Sequence, residues 1–168
     1  MERRELIQIL GAAAALPAEA QSKPRFFTAA EYETIDKLTE IIIPTDAQSP
    51  GAHAANVRFY IDTILLYANA GQQATWRKGL SAVNTYSKKE HAAEFNSLPA
   101  ASQMKVMEAM AANEKAPKSD IERFFGPLKA LTIEAFSLSE VGMKQYFGYK
   151  GHHAVSEFSG CTHKEHKA

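Results

Sequence analysis

Residues 26–65 read "FFTAAEYETIDKLTEIIIPTDAQSPGAHAANVRFYIDTIL", and this stretch decides the fold. Thr28 followed three residues later by Glu31 has the form of a capping box, and Phe27 ahead of the cap can staple onto Tyr32. Tyr32, Ile35, Leu38 and Ile42 then recur at helical spacing and define one apolar face. Pro44 ends that helix, and "PTDAQSPGAHA" reads as an irregular loop punctuated by Pro44, Pro50 and Gly51. A second helix is predicted from about Ala54 to Ala70, with Val57, Ile61, Ile64 and Leu65 inward and Gly71 as its stop. The period throughout is that of a helix, not of a strand.

The same period continues downstream. A third helix is predicted from about Gln72 to Lys88, with Trp76, Leu80 and Val83 on one face. A short helix near Glu90, a break at Ser97–Pro99 and a helix from Ala100 to about Asn113 follow, with Pro99 suited to its opening turn. Met104, Met107 and Met110 form a stripe at spacing three. Core packing is the plainest role for it, although an adaptable binding face or a soft metal track uses the same residues. Ser119 or Asp120 can cap a long helix to about Phe136, with Phe124, Leu128, Leu131 and Ala135 inward. Ser137 or Ser139 then caps a short helix ending before Gly148. The remainder, rich in glycine and histidine and without helical period, reads as an extended tail. The expectation is an all-α protein, a small bundle of about five to seven helices over residues 21–147 with a tail over 148–168.

Ahead of this body stands "MERRELIQILGAAAALPAEA". Arg3 and Arg4 are adjacent, an apolar run from Leu6 to Leu16 follows, and Ala18-Glu19-Ala20 offers a small-residue cut site. The order is that of a secretory signal with cleavage after Ala20, and the paired arginines point to the twin-arginine route. The other reading is an amphipathic N-terminal helix. The run is too short to cross a membrane, which takes about 20 apolar residues.

Composition narrows the function. The chain has 168 residues, 19 basic and 19 acidic, so it carries no net charge. Loss of residues 1–20 removes two arginines and three glutamates and leaves the rest near +1. Nothing here makes an electrostatic footprint for nucleic acid. A body of this length can bury roughly two-thirds of its unfolded surface and needs no disulfide staple. Glycine-rich phosphate loops, a haem-attachment motif and a nucleophile elbow are all absent from the sequence. No catalytic and no cofactor-binding residue is expected on this chain.

Two clusters remain. Cys161, His163 and His166, with His152 and His153 upstream, are ligand types for zinc or copper. They crowd one short tail instead of converging from two ordered elements, so a solvated or partner-bound tail is the plainer reading. Cys161 is the single cysteine and admits either a free thiol or a bond to another chain. Tyr146, Phe147 and Tyr149 gather just before the tail, where aromatics close a core or centre an interface.

Taken together these features resemble the gluconate 2-dehydrogenase subunit 3 family. The resemblance rests on the capped helix with its I-I-P and acidic Pro-Gly-Ala loop, the V-x-x-[FY]-I-D helix after it, the late "FFGPLKALTIEAF", and the ending "GMKQYFGYKGHHAVSEFSGCTHKEH". His152-His153 departs from the Gly-Asn-like turn expected there. The resemblance implies a non-catalytic small subunit of a periplasmic, membrane-associated dehydrogenase complex. Its large subunit would be a glucose-methanol-choline type flavoprotein holding FAD, and a multihaem cytochrome c would take the electrons. It further implies that this chain stabilises the flavoprotein and carries it through the twin-arginine translocase. Cys161 would bond the large subunit, with Tyr146, Phe147, Tyr149 and Phe158 in contact with it. A stand-alone exported helical module, binding metal through the Cys/His tail, is the competing expectation.

Overall fold

In the computed structural model, which describes residues 23–151, Thr28 accepts the N–H of Glu31 while Glu31 accepts the N–H of Thr28. The capping box read from the sequence therefore opens α1 (Ala29–Ile42). After it come α2 (Gly51–Ala54), α3 (Val57–Leu66), α4 (Ala70–His91), a 3₁₀ turn (Phe95–Ser97), α5 (Ala100–Ala111), α6 (Asp120–Leu138) and a π-helical turn (Gly142–Tyr146). The described residues form no strand, only an isolated bridge between Thr45 and Pro50. The fold is all-α, as expected. Arg3, Arg4, the cut after Ala20, His152, His153, Phe158, Cys161, His163 and His166 lie outside the described residues.

α6 is the hub and packs on α1, α3, α4 and α5. Its Phe124 and Leu128 are buried among Ile35 and Leu38 of α1, Val57 and Ile61 of α3, and Leu80 and Val83 of α4. Trp76 of α4 sets its ring edge-on to Phe124, centroids 5.3 Å apart at 89°. Burying a side chain of this size stabilises by about 1.5–3 kcal/mol, so this cluster is what holds the bundle. Phe95, in the 3₁₀ turn, is wholly buried beside them.

Four expectations need correction. The second helix is not continuous from Ala54 to Ala70. Asn56 takes a left-handed backbone (φ 53°) and separates α2 from α3, which stops at Leu66. Gly71 is not a stop but lies in the first turn of α4. Asn69 and Gln72 cap each other's N–H groups there, and a side-chain cap outweighs a nearby glycine. The short helix foreseen near Glu90 is the last turn of α4 followed by the 3₁₀ turn, with the chain reversing at Ala92 (φ 59°). Met104 does not join Met107 and Met110 in the core, because spacing of three slips about 60° around the helix at each step. Val106 takes its place.

The loop between α1 and α2 is more ordered than its composition suggests. Asp46 accepts the N–H of Gln48 and of Ser49, Asp46 N–H donates to the Ser49 carbonyl, and Ala52 N–H returns to the carbonyl of Ile43. Glu40 reaches up from α1 to accept the N–H and hydroxyl of Thr45 and the N–H of His53. Burial works against its charge, but those bonds win and hold its carboxyl below the usual carboxylate range. Gly51 closes the loop at φ +78°, where a Cβ would collide with the Thr45 hydroxyl.

Candidate partner-docking face

At the far end of α6 the chain turns through Ser139 before its aromatic cluster. Ser139 donates its hydroxyl to the carbonyl of Phe136 and accepts the N–H of Gly142. Gly142 presses against that same Phe136 carbonyl, and any Cβ there would strike it. The next turn is wide, closing with Phe147 N–H on the carbonyl of Gly142, a π-type bond. The foreseen short helix after Ser139 is this turn.

Its effect is to bring Tyr146 and Phe147 out of the body. Tyr146 stands edge-on to Phe136 (5.7 Å, 72°), and Phe147 edge-on to Tyr146 (5.1 Å, 90°). Only Phe136 of the three is buried; Tyr146 is 53% and Phe147 55% exposed, so the ring stack runs from core to surface. Tyr149 is exposed as well, its N–H bonded to the carbonyl of Met143. The structure thus brings together three of the sequence-selected partner residues.

A second wall faces them. Ile42, Ile43 and Pro44, at the end of α1, line a groove of about 360 Å³ with Ile133, Phe136 and Phe147. Ile133 is 46% and Leu138 64% exposed on the outward side of α6. Pro127 and Ala130 precede them on the exposed side of that helix, which also carries Arg123 one turn ahead of Pro127 and Glu134 beside Ile133. Arg123 pairs with Asp120 at 3.1 Å, and Glu134 accepts the Tyr60 hydroxyl at 2.8 Å. Burial, then this hydrogen bond, pushes the Tyr60 phenol up to about 12. The rings, the Ile42–Pro44 wall and the exposed Ile133 and Leu138 together form a ledge, and beside it Lys144 pairs with Glu140 at 2.6 Å. Ile133, Leu138 and the two rings thus form an exposed apolar patch among the described residues.

Ile133, Leu138 and the Ile42–Pro44 wall were not among the residues selected from sequence. The signal for two of them is that Ile133 and Leu138 are left on the outward side of α6 once its inward face is assigned. His53 Nδ1 meets Asp36 at 2.9 Å, where Arg58 also binds, and His91 ends α4. Among the described residues no group of three or more His, Cys, Asp and Glu could hold a metal ion, and no helix is long and apolar enough to cross a membrane.

A helical body with an ordered core and an uncovered aromatic face has the anatomy of an interaction subunit. The chain matches the family described as gluconate 2-dehydrogenase subunit 3 over residues 29–152, and it belongs to that family. No curated protein and no solved structure matches it. The matched span contains the α1 loop, the V-x-x-[FY]-I-D helix and the ledge. Membership makes the chain a subunit of a dehydrogenase complex that associates with other subunits.

Proposed function

We propose that this chain is the non-catalytic small subunit of an exported, FAD-dependent dehydrogenase of the glucose-methanol-choline class acting on gluconate or glucose. In this reading its ledge binds the large flavoprotein subunit and stabilises it. The observation that carries the reading is the ring stack Phe136–Tyr146–Phe147, which leaves the core and ends in solvent beside the exposed Ile133 and Leu138 of α6. Such a face, exposed among the described residues, is well suited to a partner's apolar surface.

The leader at residues 1–20 serves the complex. A flavoprotein acquires FAD as it folds, the twin-arginine route moves folded cargo, and a large subunit without a signal travels bound to this one. Delivery is to the periplasm, where a multihaem cytochrome c subunit takes the electrons. Cys161 lies ten residues beyond Gly151, and in an oxidising compartment it bonds a cysteine of the large subunit while Phe158 packs nearby.

The test is to tag the full chain, purify it from its native envelope and run it with and without reductant. Co-purification of a large flavin-bearing subunit, joined to this chain on the non-reducing gel and separated by reductant, is the expected result. A single small band without flavin overturns the assignment. Flavoprotein present but not covalently joined removes only the role of Cys161.

A further inference from the structure

The V-x-x-[FY]-I-D helix carries a buried acid that docking does not use. Asp62, in the middle of α3, has no solvent exposure. Its two oxygens accept three successive main-chain N–H groups: Arg25 at 2.7 Å, Phe26 at 3.0 Å and Phe27 at 2.9 Å. These donors belong to the non-helical segment ahead of α1, more than thirty residues away in sequence. α4 holds the same segment from the other side. Arg77 donates to the Phe26 carbonyl at 2.8 Å, lies 4.5 Å from the Phe26 ring centroid, and pairs with Glu31 at 2.9 Å. Phe27 is buried with its ring 6.3 Å from that of Trp76.

The segment is therefore fastened by side chains from two helices that must already be in place. The buried carboxylate needs its donors, since left unbonded it is costly, and the buried N–H of Phe27 needs the carboxylate for the same reason. Neither α1 nor α3 can make the arrangement alone. Only Gln21, Ser22, Lys23 and Pro24 stand between Ala20 and the first clamped residue.

We propose that Asp62 is a fold-coupled latch for the base of the N-terminal leader. It clamps residues 25–27 only when α1, α3 and α4 have docked, so that a folded chain presents its leader from a fixed point and any processing cut falls ahead of Arg25. The export role of residues 1–20 rests on the reading given above; the latch itself does not.

The experiment is tryptic digestion of the full, unprocessed chain, with the rate at each bond followed by mass spectrometry. Lys23–Pro24 resists trypsin because of its proline, which makes Arg25–Phe26 the reporting bond. In the wild type this bond is expected to survive while bonds after Lys115 and Lys118, in the α5–α6 linker, are cut. In Asp62→Asn, which keeps the shape but sets an amide against the donors, cleavage at Arg25 accelerates about tenfold or more while bonds within α5 and α6 keep their rates. Should Asp62→Asn accelerate every bond together, Arg77→Ala, at an exposed residue, is the second variant, with a selective acceleration of about threefold at Arg25. Wild-type cleavage at Arg25 as fast as in the linker overturns the latch. So does an unchanged rate there in Asp62→Asn, or in Arg77→Ala where that variant is needed. Export of an Arg3→Lys/Arg4→Lys chain is measured alongside. Undiminished export ends the twin-arginine reading and leaves the digestion result standing.

Discussion

The two ends of the described chain are built on opposite plans. At the N-terminal entry, Phe27 is buried and three consecutive N–H groups meet one carboxylate inside the body. At the C-terminal exit, Tyr146, Phe147 and Tyr149 point their apolar surface at solvent. Among the described residues the entry is closed by hydrogen bonds and the exit keeps its apolar surface exposed. The difference teaches where to look for a partner: the fold spends its polar network on closing the entry and the α1–α2 loop, and leaves the exit as the uncovered face.

Substitutions at the two ends should then separate stability from association. Asp62→Ala removes the acceptor of three N–H groups, of which that of Phe27 is buried, and should lower the unfolding free energy by about 2–3 kcal/mol, read by urea denaturation. A loss below about 1 kcal/mol would mean that water reaches the entry. Gly142→Ala forces a Cβ against the Phe136 carbonyl and should cost about 1–3 kcal/mol while displacing the ring stack. Its near-ultraviolet dichroism should change together with its affinity for the large subunit. The double change Tyr146→Ser/Phe147→Ser should cost the free chain only about 1–1.5 kcal/mol, since both rings are half-exposed. It should nevertheless weaken capture of the large subunit about tenfold or more. Equal capture by that variant would break the comparison.

The smallest effect concerns acid. Glu122 is held down to about 2, first by the hydrogen bond from Asn113 and then by the N–H groups of Lys118 and Ser119. Because its folded value lies below the ordinary 4.5, the stability it contributes is complete above about pH 4.5 and fades as pH falls toward 2. The urea midpoint of wild type should therefore fall across that window more than that of Glu122→Gln. Matching slopes would show that this cap contributes nothing.

What sequence could show followed from how local each cause is. Thr28 and Glu31 are three residues apart, so that helix start was legible; Asn69 and Gln72 are equally close, but the adjacent Gly71 masked them as a stop. The inward positions of α6 followed from period alone, and Phe124, Leu128 and Ala135 are buried as expected. The latch was not legible, because Asp62 and its donors meet only through the docking of α1 on α3. The ledge was half legible. Its aromatics stand together in sequence, whereas Ile42 and Ile133 become neighbours of Phe147 only in the folded chain.

The measurement that tests the central claim most directly is hydrogen exchange on the full chain, free and within the complex purified from its native envelope. The account predicts slower exchange in the complex for amides of residues 133–149 and 42–49, with residues 25–27 protected to the same degree in both states. Unchanged exchange along the ledge, with new protection confined to α4 and α5, would contradict it.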